Sequence, residues 1–319
     1  MATVRFGVLL PTRGILLSSR ERPDFGPVLA MAETAEGLGF ESVWVGDSLT
    51  TSPRLEPLTA LAAVATRTRR VRLGTAVLLA AMRHPVLLAH AAATVDVISG
   101  GRTVLGIGVG AAVTAETRQQ WEAASVPPAQ RAGRLEEMLA VLRRLWTEPR
   151  VSFRGQHIQL DGVELWPKPA QRGGIPILLA CHQRAGREAQ FRRAALLADG
   201  YISSTDSPDE FAQTTRKVRE YAQTAGRDFS NTEAAVYMTV NLDRDEARAK
   251  EEGQAYLDAY YEANRWGGPW GPVGGPSIIV RQIERYAAAG ARTLIIRFAT
   301  YEPMGQLELF AREIMPAFV

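Results

Sequence analysis

The chain has 319 residues, 46% hydrophobic and 22% charged, which is enough apolar material for a large buried core and argues against a disordered chain. Its net charge of +3 rests mostly on arginines scattered along helices, so neither nucleic acid nor a membrane surface is an expected partner. Cys181 is the single cysteine, which excludes an intrachain disulfide and a cysteine zinc cluster; no run nears the roughly 18 apolar residues of a membrane span and no cleavable leader pattern is visible, so a cytoplasmic protein is expected.

From the start, short runs of branched aliphatic residues alternate with segments of helical periodicity. Residues 4–10 read as a strand, 28–38 as a helix with Gly39 suited to a left-handed C-cap, and 42–45 as a second strand. A helix over 58–66, a strand over 71–77, a helix over 86–98 and a strand over 103–107 follow, separated by a few turn residues. Then come a helix over 131–146, a strand over 177–180, a helix over 186–197, a strand over 200–202, a helix over 208–225, a strand over 234–240, helices over 245–262 and 278–288, and a strand over 293–298. Eight continuously apolar strands with intervening helices predict a (β/α)8 TIM barrel, one domain over residues 1–319, rather than an open doubly wound sheet. Two insertions at the barrel mouth are expected. Residues 151–169 alternate like a hairpin, and residues 264–276, dense in Gly and Pro around Trp266 and Trp270, cannot be regular structure. That second stretch reads either as an active-site lid or as a surface loop packed by its own aromatics.

In such a barrel the site lies at the carboxyl ends of the strands, so the residues just after each run are the ones to weigh. After the second strand, Asp47 and Ser48 could face a ligand, or Asp47 could only fix its turn. Gly74 to Val77 are small enough to let backbone approach a flat ring, or to pack tightly against neighbouring strands. His84, ahead of Pro85, suits a helix cap as well as a catalytic base. The Gly106, Gly108 and Gly110 run is a weak dinucleotide fingerprint and better read as a wall free of side chains, with Gly108 at the ligand. Ala180, Cys181, His182, Gln183 and Arg184 lead toward a helix start, where backbone donors suit a phosphate. Cys181 is better read as a small buried residue than a nucleophile, His157 as structural, and the four histidines lack the spacing of a metal site.

The ordered series Gly39 to Asp47, Leu55 to Leu58, Val71 to Val77, Arg83 to Pro85, Asp96 to Arg102 and Leu105 to Gly110 resembles the bacterial luciferase-like monooxygenase superfamily. Residues 176–180, 198–201 and 287–291 extend the likeness. The resemblance implies that Asp47 lies beside an isoalloxazine ring and that a non-proline cis peptide joins Ala76 to Val77 against that ring. It further implies a phosphate loop on Ala180 to Arg184, although Cys181 and His182 stand where a glycine pair is usual. Many deazaflavin-dependent relatives carry histidine where this chain has Ser48, and some a catalytic glutamate where it has Ala111, which speaks against a sugar-phosphate dehydrogenase.

The resulting expectation is a flavin-dependent oxidoreductase, foremost a monooxygenase using reduced FMN and oxygen on a small organic substrate, served by a separate flavin reductase. A reductase or dehydrogenase using the deazaflavin coenzyme F-420 (F420) is the alternative, and a non-catalytic flavin-binding barrel the third reading. Ser48, His84 and His182 are the catalytic candidates, Trp266 and Trp270 the lid candidates, and a homodimer is the assembly that the resemblance implies.

Overall fold

The computed structural model describes residues 4–229, 232–261 and 271–318. Eight parallel strands form the centre: β1 (Arg5–Leu9), β2 (Ser42–Val45), β3 (Arg72–Leu78), β4 (Thr103–Ile107), β5 (Ile177–Ala180), β6 (Gly200–Ser203), β7 (Glu233–Leu242) and β8 (Thr293–Phe298). Each pairs with its successor, and β8 pairs back onto β1, closing the ring. Every residue of β2, β4 and β8 is buried, which is why these strands read as largely apolar runs instead of alternating ones, Arg297 in β8 being the charged exception.

Local chemistry sets where the surrounding helices begin and end. Proline occupies the first turn of the helices Pro57–Arg67, Pro85–Ser99, Pro208–Thr224 and Pro276–Ala288, where its missing N–H is no loss. Ser207 and Glu210 close a capping box on the third of these. The helix Gly26–Gly37 gives way to Gly39 at φ +88°, the left-handed residue expected there.

The interior of the ring is filled at mid-height by Trp44, whose indole donates to Ser42 Oγ at 2.8 Å. A methyl on Gly74 would lie 2.1 Å from that indole and one on Gly7 2.6 Å from its nitrogen, so both glycines make room for it. Signature residues near the opposite end are stitches: the Arg102 guanidinium donates to the carbonyls of Ala65, Thr68, Val71 and Ser99, and Asp96 accepts from Thr103 and Gln171. Among the described residues no helix is long and apolar enough to cross a membrane.

Four features depart from the sequence expectation. The helices Gly14–Ser18, Ala115–Ala123 and Pro303–Glu313 were not anticipated; the first is one turn long, the second largely polar and the third interrupted by Gly305. The helix expected from residue 186 starts at Ala189, because Gly186 turns left-handed at φ +61° after a single tight turn over Gln183–Ala185. The hairpin exists, Val151–Arg154 against Gln159–Val163, but it climbs the outer wall: Glu137 of the helix Arg131–Thr147 accepts from the N–H groups of Gln156, His157 and Ile158 at its tip. It is the segment between β4 and that helix, carrying Ala115–Ala123, that folds at the mouth, with Gln120 bound to Ser48 and Leu49 after β2. Finally, part of the stretch expected to be irregular is a short strand, Val273–Gly274, paired in parallel with Asn241 and Leu242 where β7 outruns the barrel.

Candidate active site

The inward residues at the carboxyl ends of the strands differ sharply in size around the ring. On β3 to β5 they are Ala76, Val77, Gly108 and Ala180. β3 bulges here: its register to β4 shifts between Thr75 and Leu78, and the Ala76–Val77 peptide is cis, as the resemblance implied. A methyl on Gly108 would meet Val77 Cγ2 at 2.6 Å and Ala180 Cβ at 3.7 Å, and one on Gly106 would lie 2.1 Å from the Thr75 carbonyl oxygen. The result is a low platform with little side chain on it.

The chain leaving the bulge is held by a clasp. Asp47, whose side chain is 4% exposed, accepts from the Leu79 N–H at 2.8 Å and from both terminal nitrogens of Arg83, at 2.6 and 3.1 Å. Arg83 also reaches Glu56 at 3.1 Å. Burial works against the Arg83 charge, and the two carboxylates more than offset it, raising its pKa. Asp47 thus fixes the chain just after the bulge.

On β7 and β8 the inward residues are large and polar: Tyr237, Thr239 and Arg297. The Arg297 guanidinium donates to Thr239 Oγ1 from Nε at 3.1 Å and Nη2 at 2.6 Å, and from Nη1 to the Tyr261 hydroxyl. It lies over the rings of Tyr237 (5.1 Å), Tyr260 (5.1 Å) and Tyr261 (4.9 Å). Burial disfavours its charge, but the surrounding phenols hold its pKa above the ordinary arginine range. Burial pushes the Tyr237 phenol well up, Arg297 pulling the other way, so Tyr237 is neutral and protonated at physiological pH. Arg54 enters from the loop after β2, its guanidinium over Gly46, where a methyl would be 2.1 Å from Nη1. Platform and polar wall face one another across a single cavity bordered by Ala76, Val77, Ala180, Thr205, Tyr237 and Arg297.

The loop after β5 is already furnished with acceptors. The N–H of Cys181 goes to the Ile202 carbonyl, that of His182 to Gln190 Oε1 at 3.0 Å, and that of Gln183 to the Asp206 carboxylate at 2.8 Å. Asp206 also accepts from Thr214 at 2.7 Å, and Arg184 pairs with Glu210 at 3.3 Å. Two carboxylates of this chain therefore sit where an anion was expected.

A family model described as luciferase-like monooxygenase matches residues 4–291. The chain belongs to the luciferase-like monooxygenase family. It is similar to the F420-dependent glucose-6-phosphate dehydrogenases of Amycolatopsis mediterranei (27% identical over 92% of this chain and 95% of the relative) and Nakamurella multipartita (29%, over 92% and 93%). Among solved structures, a monooxygenase from Streptomyces bottropensis superposes with a TM-score of 0.83 at 24% identity over 99% of this chain and all of its own. An F420-dependent secondary alcohol dehydrogenase superposes with a TM-score of 0.81 at 21% identity over the whole of both chains. At those identities the superpositions speak to the barrel alone; the family, with its full-length oxidoreductase relatives, makes this chain an enzyme of an oxidoreductase class.

Within this luciferase-like barrel the three catalytic candidates occupy separate places. Ser48 lies in the β2 loop, its hydroxyl within 3.2 Å of Thr51 Oγ1 and 3.3 Å of Gln120 Oε1 while accepting from the Ser52 N–H. His84 is exposed at the N-cap of Pro85–Ser99 without a side-chain capping bond, in a groove between two outer helices with Leu87 and Thr59. His182 is beside the mouth: its Nδ1 is 3.0 Å from Thr205 Oγ1, and Thr205 borders the cavity. Burial lowers the His182 pKa, Arg184 adds to the effect and Glu210 opposes it, so the ring is neutral at physiological pH. Cys181 is fully buried and its thiol pushed well up, by burial first and then by Asp206, which makes it a packing residue. Ala111 contributes its carbonyl to the Trp121 indole at 2.9 Å. Trp266 and Trp270 lie outside the described residues. Sequence reasoning missed Tyr237, Thr239 and Arg297; an arginine inside an otherwise apolar strand was the available signal.

Proposed function

We propose that this protein is an F420-dependent oxidoreductase, a reductase or dehydrogenase acting on a small organic substrate at the barrel mouth. The observation that carries the reading is the platform of Ala76, Val77, Gly108 and Ala180, a shape that fits a planar tricyclic ring, opposite a wall of phenols and guanidinium. The names of relatives matched over nearly the full length support a deazaflavin ahead of FMN.

When bound, the reduced deazaflavin supplies a hydride. Ala76, Val77 and Ala180 would hold the ring. The N–H groups of Cys181 to Gln183 do not fit a phosphate, since Ile202, Gln190 and Asp206 occupy them. A carbonyl that accepts a hydride at carbon needs a proton at oxygen, and Ser48 and Ala111 are not placed to give one. That role falls to the Tyr237 hydroxyl or to Thr205 backed by neutral His182. We therefore do not carry over the glucose 6-phosphate of the relatives.

Titration of the purified protein with oxidised F420 and with FMN, read by cofactor fluorescence, tests this. Binding of F420 at least about tenfold tighter than FMN, roughly 1.4 kcal/mol, is expected. Preference for FMN overturns the cofactor and restores the monooxygenase; binding of neither overturns the reading.

A further inference from the structure

The cavity between platform and wall has a neighbour. Behind Arg297 and Tyr260, between the ends of β1 and β8, lies a second chamber of about 360 Å³, a volume within the range of small-ligand pockets. Its lining is mainly apolar, with Leu9, Ile15, Met31 and Phe298 among the walls, and Tyr256 and Tyr301 close one side with their rings 5.2 Å apart and inclined at 75°. Arg297 and Tyr260 belong to both chambers, so an occupant of the second touches the same guanidinium that faces the first.

The charges around this chamber are unevenly placed. Arg297 is anchored in the interior by Thr239 and the tyrosine rings, which fix the plane of its fork. Arg13, outside the chamber's lining, lies 4.8 Å from the Tyr260 ring, and Arg22 stands at the rim. The two acids that border the chamber lie outward: Asp24 accepts from the Gly26 N–H at 2.8 Å at the start of its helix, and Glu302 is exposed. A planar guanidinium matches a carboxylate in two places and binds it through charge-assisted hydrogen bonds, strongest where water is excluded.

We propose that the second chamber is a binding site, separate from the cofactor cavity, for an organic monocarboxylate with an apolar body, its carboxylate toward Arg297 and its body against Leu9, Ile15, Met31 and Phe298. The chamber's preference for a carboxylate does not rest on the oxidoreductase reading.

The test is calorimetric titration of the full-length protein with hydrocinnamate and with hydrocinnamide, which differ in charge but hardly in shape. The acid is expected to bind at least about tenfold tighter than the amide, the loss that goes with one charge-assisted hydrogen bond. Ser18 is exposed at the rim of the chamber, so Ser18→Trp places an indole in its entrance without disturbing the core. This variant should weaken the acid about tenfold or more and leave F420 binding within about twofold. Arg297→Gln, its fold checked by circular dichroism, should erase the preference for the acid. Equal binding of acid and amide, no binding of the acid, or unchanged binding by Ser18→Trp overturns the proposal. If the acid binds as expected and F420 does not, the cofactor reading fails while the carboxylate chamber stands.

Discussion

The two sides of the barrel mouth are built at the same height from the same kind of strand, yet they have opposite surfaces. On β3 to β5 the inward positions carry no more than a methyl or a valine, and the backbone itself rises into the opening at the Ala76–Val77 bulge. On β7 and β8 the equivalent positions carry a phenol and a guanidinium that interlock with Tyr260 and Tyr261 from the following helix. A flat ligand can lie on backbone only where side chains are missing, and polar chemistry can reach it only from the side where they are present. The barrel separates holding from reacting by the size of its inward residues.

That division can be attacked first at its support. Arg83→Met leaves the Asp47 carboxylate buried with the Leu79 N–H as its remaining partner, and it should cost about 3–5 kcal/mol in urea denaturation. A loss below about 1 kcal/mol would mean that the platform stands without its clasp. Next comes the contrast itself. Gly108→Val on the platform should weaken F420 binding by roughly a hundredfold, about 2.7 kcal/mol, because the new side chain must enter space shared with Val77 and Ala180. Tyr237→Phe on the wall should leave that affinity within about twofold and lower turnover instead. Equal effects of the two variants on affinity would dissolve the distinction.

The smallest effect is expected at His182. The fold favours its neutral ring, so between its ordinary pKa of 6.5 and its lowered folded value the unfolded chain binds more protons. Stability should therefore fall as the pH drops through that window, and His182→Gln should flatten the accompanying fall in melting temperature.

The barrel was readable because its strands are buried on both faces and its helices begin at prolines and end at glycines, signals that lie in neighbouring residues. Predicted and observed barrel strands agree to within two residues at every end, from β2 (Ser42–Val45) to β7 (Glu233–Leu242). The site was less readable, for a geometric reason. Looking just past each strand finds Asp47, Ser48 and His182, but the inward wall is made by residues inside the strands, Tyr237 and Thr239 on β7 and Arg297 on β8. Whether a loop N–H is available is also a tertiary matter: nothing near Gln183 in the sequence announces Asp206 as its acceptor. The absence of a side chain at Gly108 was legible, since a glycine declares itself.

Trp44 has a consequence for measurement. Its indole is buried inside the ring, held by Ser42 and packed against Gly7 and Gly74. The barrel thus carries its own optical antenna. Any ligand on the platform that absorbs where an indole emits will drain the excited state of Trp44 by resonance transfer, and loading can be followed in the dye-free wild-type protein as a dimming of its ultraviolet glow.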